Sequence, residues 1–100
     1  MDNRTILNLL EELAQRLDVE IRYESLEGEA AFSGGGLCRI RGRRVIIVNR
    51  AAAPDIKVRT IAAALRRFDL GEIYVKPALR EFMETVADEP DPENGARGGG

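Results

Sequence analysis

The sequence predicts an α+β domain: three helices packed on a small, mainly antiparallel three-stranded sheet, in the order helix, strand, hairpin, helix, helix. Three observations carry that expectation. Apolar residues recur every three or four positions near both ends of the region 1–87, the period of an amphipathic helix. They alternate with charged residues in "VEIRYES", Val19 to Ser25, the period of a strand with one buried face. Two apolar runs also flank Gly42 in "LCRIRGRRVIIVN", the layout of a hairpin. Three strands cannot close a barrel, so helices must cover one face of the sheet.

The first helix is read from Ile6, Leu9, Leu10, Leu13 and Leu17, with Glu11, Glu12, Gln15 and Arg16 on the opposite side. Asp2 or Asn3 is placed to cap it. The period changes at Asp18, and Val19, Ile21 and Tyr23 then form the inward face of the first strand. "LEGEAAFSGGG" follows, Leu26 to Gly36, with four glycines in eleven residues, the composition of a loop. In the hairpin, Gly42-Arg43 suits a type II′ turn, because glycine supplies the positive φ at its first central position. That register sets Arg41 opposite Arg44, a repulsive pair, so a longer turn is the alternative. "VIIV" is apolar on both faces and is expected at the centre of the sheet.

Pro54 suits the first position of the second helix, whose buried stripe is Val58, Ile61, Ala62, Leu65 and Phe68, with Gly71 as its stop. "EIYVKP" reads as an extended connector or a short strand. Pro77 opens the third helix, with stripe Leu79, Phe82, Met83 and Val86. Residues 88–100, "DEPDPENGARGGG", have no apolar period and read as a disordered tail. The chain is thus expected to be one globular domain over 1–87.

Charge is segregated. Residues 1–36, 37–67 and 68–100 carry balances of −5, +8 and −5, which together give the net −2. Such asymmetry marks either a binding surface or oppositely charged elements that pair. The arginines Arg39, Arg41, Arg43, Arg44 and Arg50 of the hairpin, with Arg66 and Arg67 of the second helix, are the candidate interaction residues. A two-stranded ribbon bearing arginines can contact phosphates. The net negative charge, and the lack of aromatic residues among these arginines on which bases could stack, weigh against nucleic acid.

With no histidine and a single cysteine, Cys38, the chain cannot supply the four Cys/His ligands of a structural zinc site. Ser–His and Cys–His nucleophilic systems are excluded for the same reason. Glu11-Glu12 and Glu27-Glu29 read as a solvated helix face and a polar loop. "SGGGLCR" lacks the Lys-Ser/Thr and the helix that a phosphate loop requires, and Cys38 reads as a small buried residue of a strand. No catalytic residue, metal site or cofactor is expected. A lone cysteine, no secretory leader and no apolar run of bilayer length point to the cytoplasm.

"VEIRYESLEG", "GGLCRIRGRRVIIVNR" and "PDIKVRTIAAAL" together resemble the minimal zincin-like domain of the ImmA/IrrE kind. In that family a strand ending I-x-I/V-N precedes a helix reading approximately R-x-T-x-A-H-E-L-G-H, whose histidines bind zinc and whose glutamate activates water. "VRTIAAALRR" matches at Arg59 or its neighbour, Thr60, Ala62 and Leu65. Ala63 stands where the first histidine would lie, Ala64 where the glutamate would, and Arg67 where the second histidine would. The resemblance spans roughly 19–68 and implies a zincin-like fold with the metal site erased. More broadly the chain resembles small bacterial proteins from which no activity carries over. The expected role is a non-catalytic protein-interaction domain, its partner another protein or a second copy of this chain. The alternative is a nucleic-acid-binding module using the hairpin 37–50. No membrane association is expected.

Overall fold

The computed structural model describes residues 1–27 and 35–86. Its elements are α1 (Asn3–Arg16), β1 (Glu20–Glu24), β2 (Gly35–Ile40), β3 (Arg43–Asn49), α2 (Pro54–Leu65) and α3 (Pro77–Thr85). This is the expected α+β arrangement. The expected tail, 88–100, lies outside the described residues, as does most of the glycine-rich stretch.

Helix α1 begins where the Asp2 carboxylate accepts the Thr5 backbone N–H at 2.8 Å. That bond holds the Asp2 carboxyl below its ordinary pKa, since the charged form is the better acceptor. The helix ends in a Schellman motif. Val19 N–H reaches Ala14 C=O and Asp18 N–H reaches Gln15 C=O, with Asp18 itself left-handed at φ 58°. Aspartate tolerates that conformation better than most residues, so the change of period at Asp18 coincides with a helix stop built from backbone. The motif also aims Val19 and β1 back against α1.

The sheet order is β1-β3-β2, so "VIIV" is central, as its apolar character predicts. β2 and β3 form the antiparallel hairpin. β1 runs parallel to β3, with Glu20 beside Val45 and Glu24 beside Asn49, and the sheet is therefore mixed. Ile46 and Val48 face the helices together with Ile21, Tyr23 and Leu37. Val45, Ile47 and Cys38 lie on the other face, where Cys38 is half-buried and reduced.

The hairpin corrects two expectations. The turn is Arg41-Gly42, both with positive φ (52° and 79°), which is the type I′ geometry whose twist matches the flanking strands. The Gly42-Arg43 type II′ turn does not form. Arg41 consequently sits in the turn, and it is Arg39 that lies opposite Arg44. Each side chain stays on its expected face, because the slip relative to the expected pairing is two residues. Gly35 and Gly36, expected in the loop, are strand residues instead. Gly35 has φ 122°, and a Cβ there would run into the backbone carbonyl of Ile47.

Helix α2 starts with Pro54 at its first turn and ends at Leu65, earlier than the Gly71 stop expected from sequence. Its last amides close tighter turns, Arg67 N–H to Ala64 C=O and Phe68 N–H to Leu65 C=O. Gly71 belongs to a separate turn, its N–H donated to the Asp69 carboxylate at 2.9 Å. The connector before α3 contains no strand. Leu10, Leu13, Ile46, Ile61 and Leu65 are fully buried, each contributing about 1.5–3 kcal/mol of burial free energy. Leu79 and Met83 of α3 close the same core.

Candidate functional site

The structure gathers six of the seven candidate arginines at one end of the molecule. The hairpin turn lies where the C-termini of α1 and α2 meet, and Arg44 is the tie. Its Nη2 donates to the carbonyl oxygen of Leu17, the C-cap of α1, at 3.0 Å. Its guanidinium also lies over the ring of Phe68, just beyond α2, 4.6 Å from the centroid. A cation is favoured at both places, by the negative end of the helix dipole and by the face of the ring. Both contacts offset the repulsion from Arg39, the like charge opposite it in the ladder.

Arg39, Arg41 and Arg43 are exposed around this tip. Among the described residues neither Arg39 nor Arg41 takes part in an ion pair. Arg66 and Arg67 directly precede Phe68 and so join the same end. The Arg66 Nη1 donates to the carbonyl oxygen of Val86, which fastens the end of α3 to the end of α2.

Arg50 stands apart. It follows β3 at the opposite end of the sheet, roughly 20 Å along the strand from Arg43. There its N–H bonds Glu24 C=O and its Nη2 bonds Tyr23 C=O, each at 2.9 Å. It anchors the end of β1 and is no part of the cluster. Arg16, by contrast, was not singled out from sequence, yet it lies in the last turn of α1 and donates to Tyr74 C=O at 3.0 Å. The signal for it was its place at a helix C-terminus, where a cation is expected.

The chain matches no family model, and no curated protein or solved structure is similar to it.

The positions that the zincin resemblance marks are distributed differently from one another. Ala63 is 6% exposed and Ala64 fully buried within the core, while Arg67 is exposed. The two alanines are packing residues of the core. Among the described residues no three Cys, Asp or Glu side chains converge as a metal site would require. No helix of the described residues is long and apolar enough to cross a membrane.

The acidic side of the molecule is organised by β1. Arg22 Nε donates to Glu20 at 2.5 Å, and that bond holds the Glu20 carboxyl below its ordinary pKa and raises that of Arg22. Glu11 accepts a 2.6 Å hydrogen bond from the Tyr23 hydroxyl. Burial, then the bond to Glu11, push the Tyr23 phenol well above its ordinary value. Glu12 is exposed, as the solvated-face reading expects. Glu29 lies outside the described residues.

Proposed function

We propose that the chain is a non-catalytic interaction domain that docks an acidic protein partner on its arginine-bearing end. The observation behind this reading is the convergence of the hairpin turn with the C-termini of α1 and α2, which sets Arg39, Arg41, Arg43, Arg44, Arg66 and Arg67 together in a chain of net charge −2. Planar guanidinium groups bond carboxylates in pairs, and helix C-termini pre-set some of them. A second copy qualifies as the partner, since α1 and β1 also carry carboxylates, with Glu12 of α1 exposed. The zincin-like lineage fits the same reading, with Ala63 and Ala64 in place of zinc chemistry.

The second reading is a nucleic-acid module. Its support is the position of Arg41 and Arg43, exposed at the tip of a two-stranded ribbon that could follow a phosphate backbone.

Fluorescence anisotropy with labelled poly-glutamate and labelled mixed-sequence duplex DNA, at low and raised salt, separates the two. The expected result is tighter binding of the acidic polypeptide, weakened by salt and largely lost in an Arg41→Ala/Arg43→Ala variant. Preference for the duplex transfers the assignment to the second reading. Binding of neither probe at low salt ends both. Light scattering of the same samples reports self-association.

A further inference from the structure

We infer that β1 pairs edge to edge with β1 of a second copy of this chain, antiparallel about a two-fold axis at Ile21. Among the described residues β1 has one partner strand, β3, on one side. The parallel register and the bond from Arg50 N–H to Glu24 C=O fix which backbone groups face β3. They are those of Glu20, Arg22 and Glu24, since alternate residues of a parallel strand bond the same neighbour. Each trans peptide points its C=O and N–H to opposite sides. Both groups of Ile21, both groups of Tyr23 and the C=O of Val19 therefore point outward. The outward Tyr23 C=O is already held by the Arg50 Nη2, and Val19 N–H is spent on Ala14 C=O, each at 2.9 Å. An antiparallel copy centred on Ile21 uses the groups that are left. The two Ile21 residues exchange a pair of bonds, and each Tyr23 N–H meets the Val19 C=O of the copy. Just before Val19 the left-handed Asp18, φ 58°, takes the chain out of the strand and ends the pairing.

Charge selects the same register. On the face of β1 away from the helices, Glu20 and Arg22 lie side by side as an ion pair of 2.5 Å. Centring on Ile21 sets Glu20 opposite Arg22 of the copy and Arg22 opposite its Glu20. Four charges of alternating sign then share one face, with each cross-strand pair attractive. Centring on Arg22 instead opposes Arg22 to itself and Glu20 to Glu24, like charges in both cases. Centring on Tyr23 opposes Arg22 to Glu24, but it puts at the axis the Tyr23 C=O that Arg50 already holds. On the helix side a recess of about 300 Å³ runs beside this edge, lined by Glu11, Ala14, Gln15, Val19, Ile21 and Tyr23. It leaves space for the Ile21 side chain of the copy. Charged residues on an edge strand disfavour unrelated strands, and here the same charges specify the strand that fits. Each copy presents the same surface, so the contact closes at two chains. The pairing goes beyond the docking of an acidic protein and uses none of the arginines assigned to it.

Sedimentation of the full chain over a wide concentration range supplies the test. The mass should rise from 11.1 kDa towards twice that value. Glu20→Arg and Arg22→Glu should each raise the dimer Kd about tenfold or more, because two cross-strand pairs turn from attraction to repulsion. The double variant Glu20→Arg/Arg22→Glu restores opposite charges at both pairs and should bring Kd back close to the native value. Far-UV circular dichroism should be the same for all of them, since both side chains lie on the face away from the helices. In the native chain, hydrogen exchange at the Ile21 and Tyr23 amides should slow as concentration rises. A mass of 11.1 kDa at every concentration overturns the inference. So do single reversals without effect, a folded double variant that stays monomeric, or exchange at both amides that ignores concentration. Arg41→Ala/Arg43→Ala should dimerise as the native chain does; loss of the dimer there assigns the association to the arginine-bearing end and overturns the pairing of β1.

Discussion

Replacing Gly35 by alanine should be among the most damaging single-atom additions to this chain. Gly35 opens β2 at φ 122°, a region nearly closed to L-residues, which costs about 1–3 kcal/mol. The added methyl would also meet the carbonyl oxygen and carbon of Ile47, backbone atoms of the central strand that cannot rotate aside. The start of β2 must then move off β3, losing ladder bonds of about 1 kcal/mol each. Together these come to roughly 3–5 kcal/mol, against a total stability of about 5–15 kcal/mol for a domain. Gly42 is the internal control. It too has positive φ, 79°, but a Cβ there meets nothing within 4 Å, so Gly42→Ala should cost only the conformational part, about 1–2 kcal/mol. Thermal unfolding followed by circular dichroism measures both. At about 4–8 °C per kcal/mol, Gly35→Ala should melt lower by about 12 °C or more and Gly42→Ala by clearly less. Equal melting temperatures for the two variants would refute the steric argument.

Two further outcomes follow from the core and from β1. Leu13 is fully buried between the helices and the sheet, so Leu13→Ala should lose about 2–5 kcal/mol in urea unfolding, and Leu9→Ala, half-buried, less. The Tyr23 phenol keeps its proton more firmly folded than unfolded. Its contribution is therefore complete below the ordinary value of 10.0 and declines as pH rises above it. Stability of the native chain should fall through this alkaline range, and Tyr23→Phe should flatten the fall; an unchanged alkaline slope counts against the raised phenol pKa, to which burial contributes most.

Much of the fold is legible in the sequence because it is written in short-range periods. The stripe of α1, the inward face of β1 and the stripe of α3 each repeat within a few residues, and each is where the structure has it. The parallel pairing of β1 with β3 left no such trace, since it joins residues far apart in the chain. The turn was displaced because an arginine, Arg41, occupies a left-handed position usually marked by Asn, Asp or Gly. Gly35 read as loop for the opposite reason: glycine signals freedom, and here it answers to the close approach of Ile47. The candidate arginines were visible by type and charge, but their grouping was not. Arg44 and Phe68 are distant in sequence, and only the meeting of two helix ends with the hairpin separates Arg50 from the other six.

The β1-β3-β2 order imposes a schedule on the folding chain. The hairpin closes between Ile40 and Arg43, nearest neighbours on the chain apart from a two-residue turn. The pairing of Glu20 with Val45 spans 25 positions, which adds about 2 kcal/mol of loop-closure entropy relative to the hairpin. Because β1 pairs only with β3, it has no sheet to join until that strand is in place. β1 is synthesised before β3 and can complete its ladder only once residues 43–49 have emerged. Glu20, Arg22 and Glu24 on this edge strand disfavour its pairing with other edges before then.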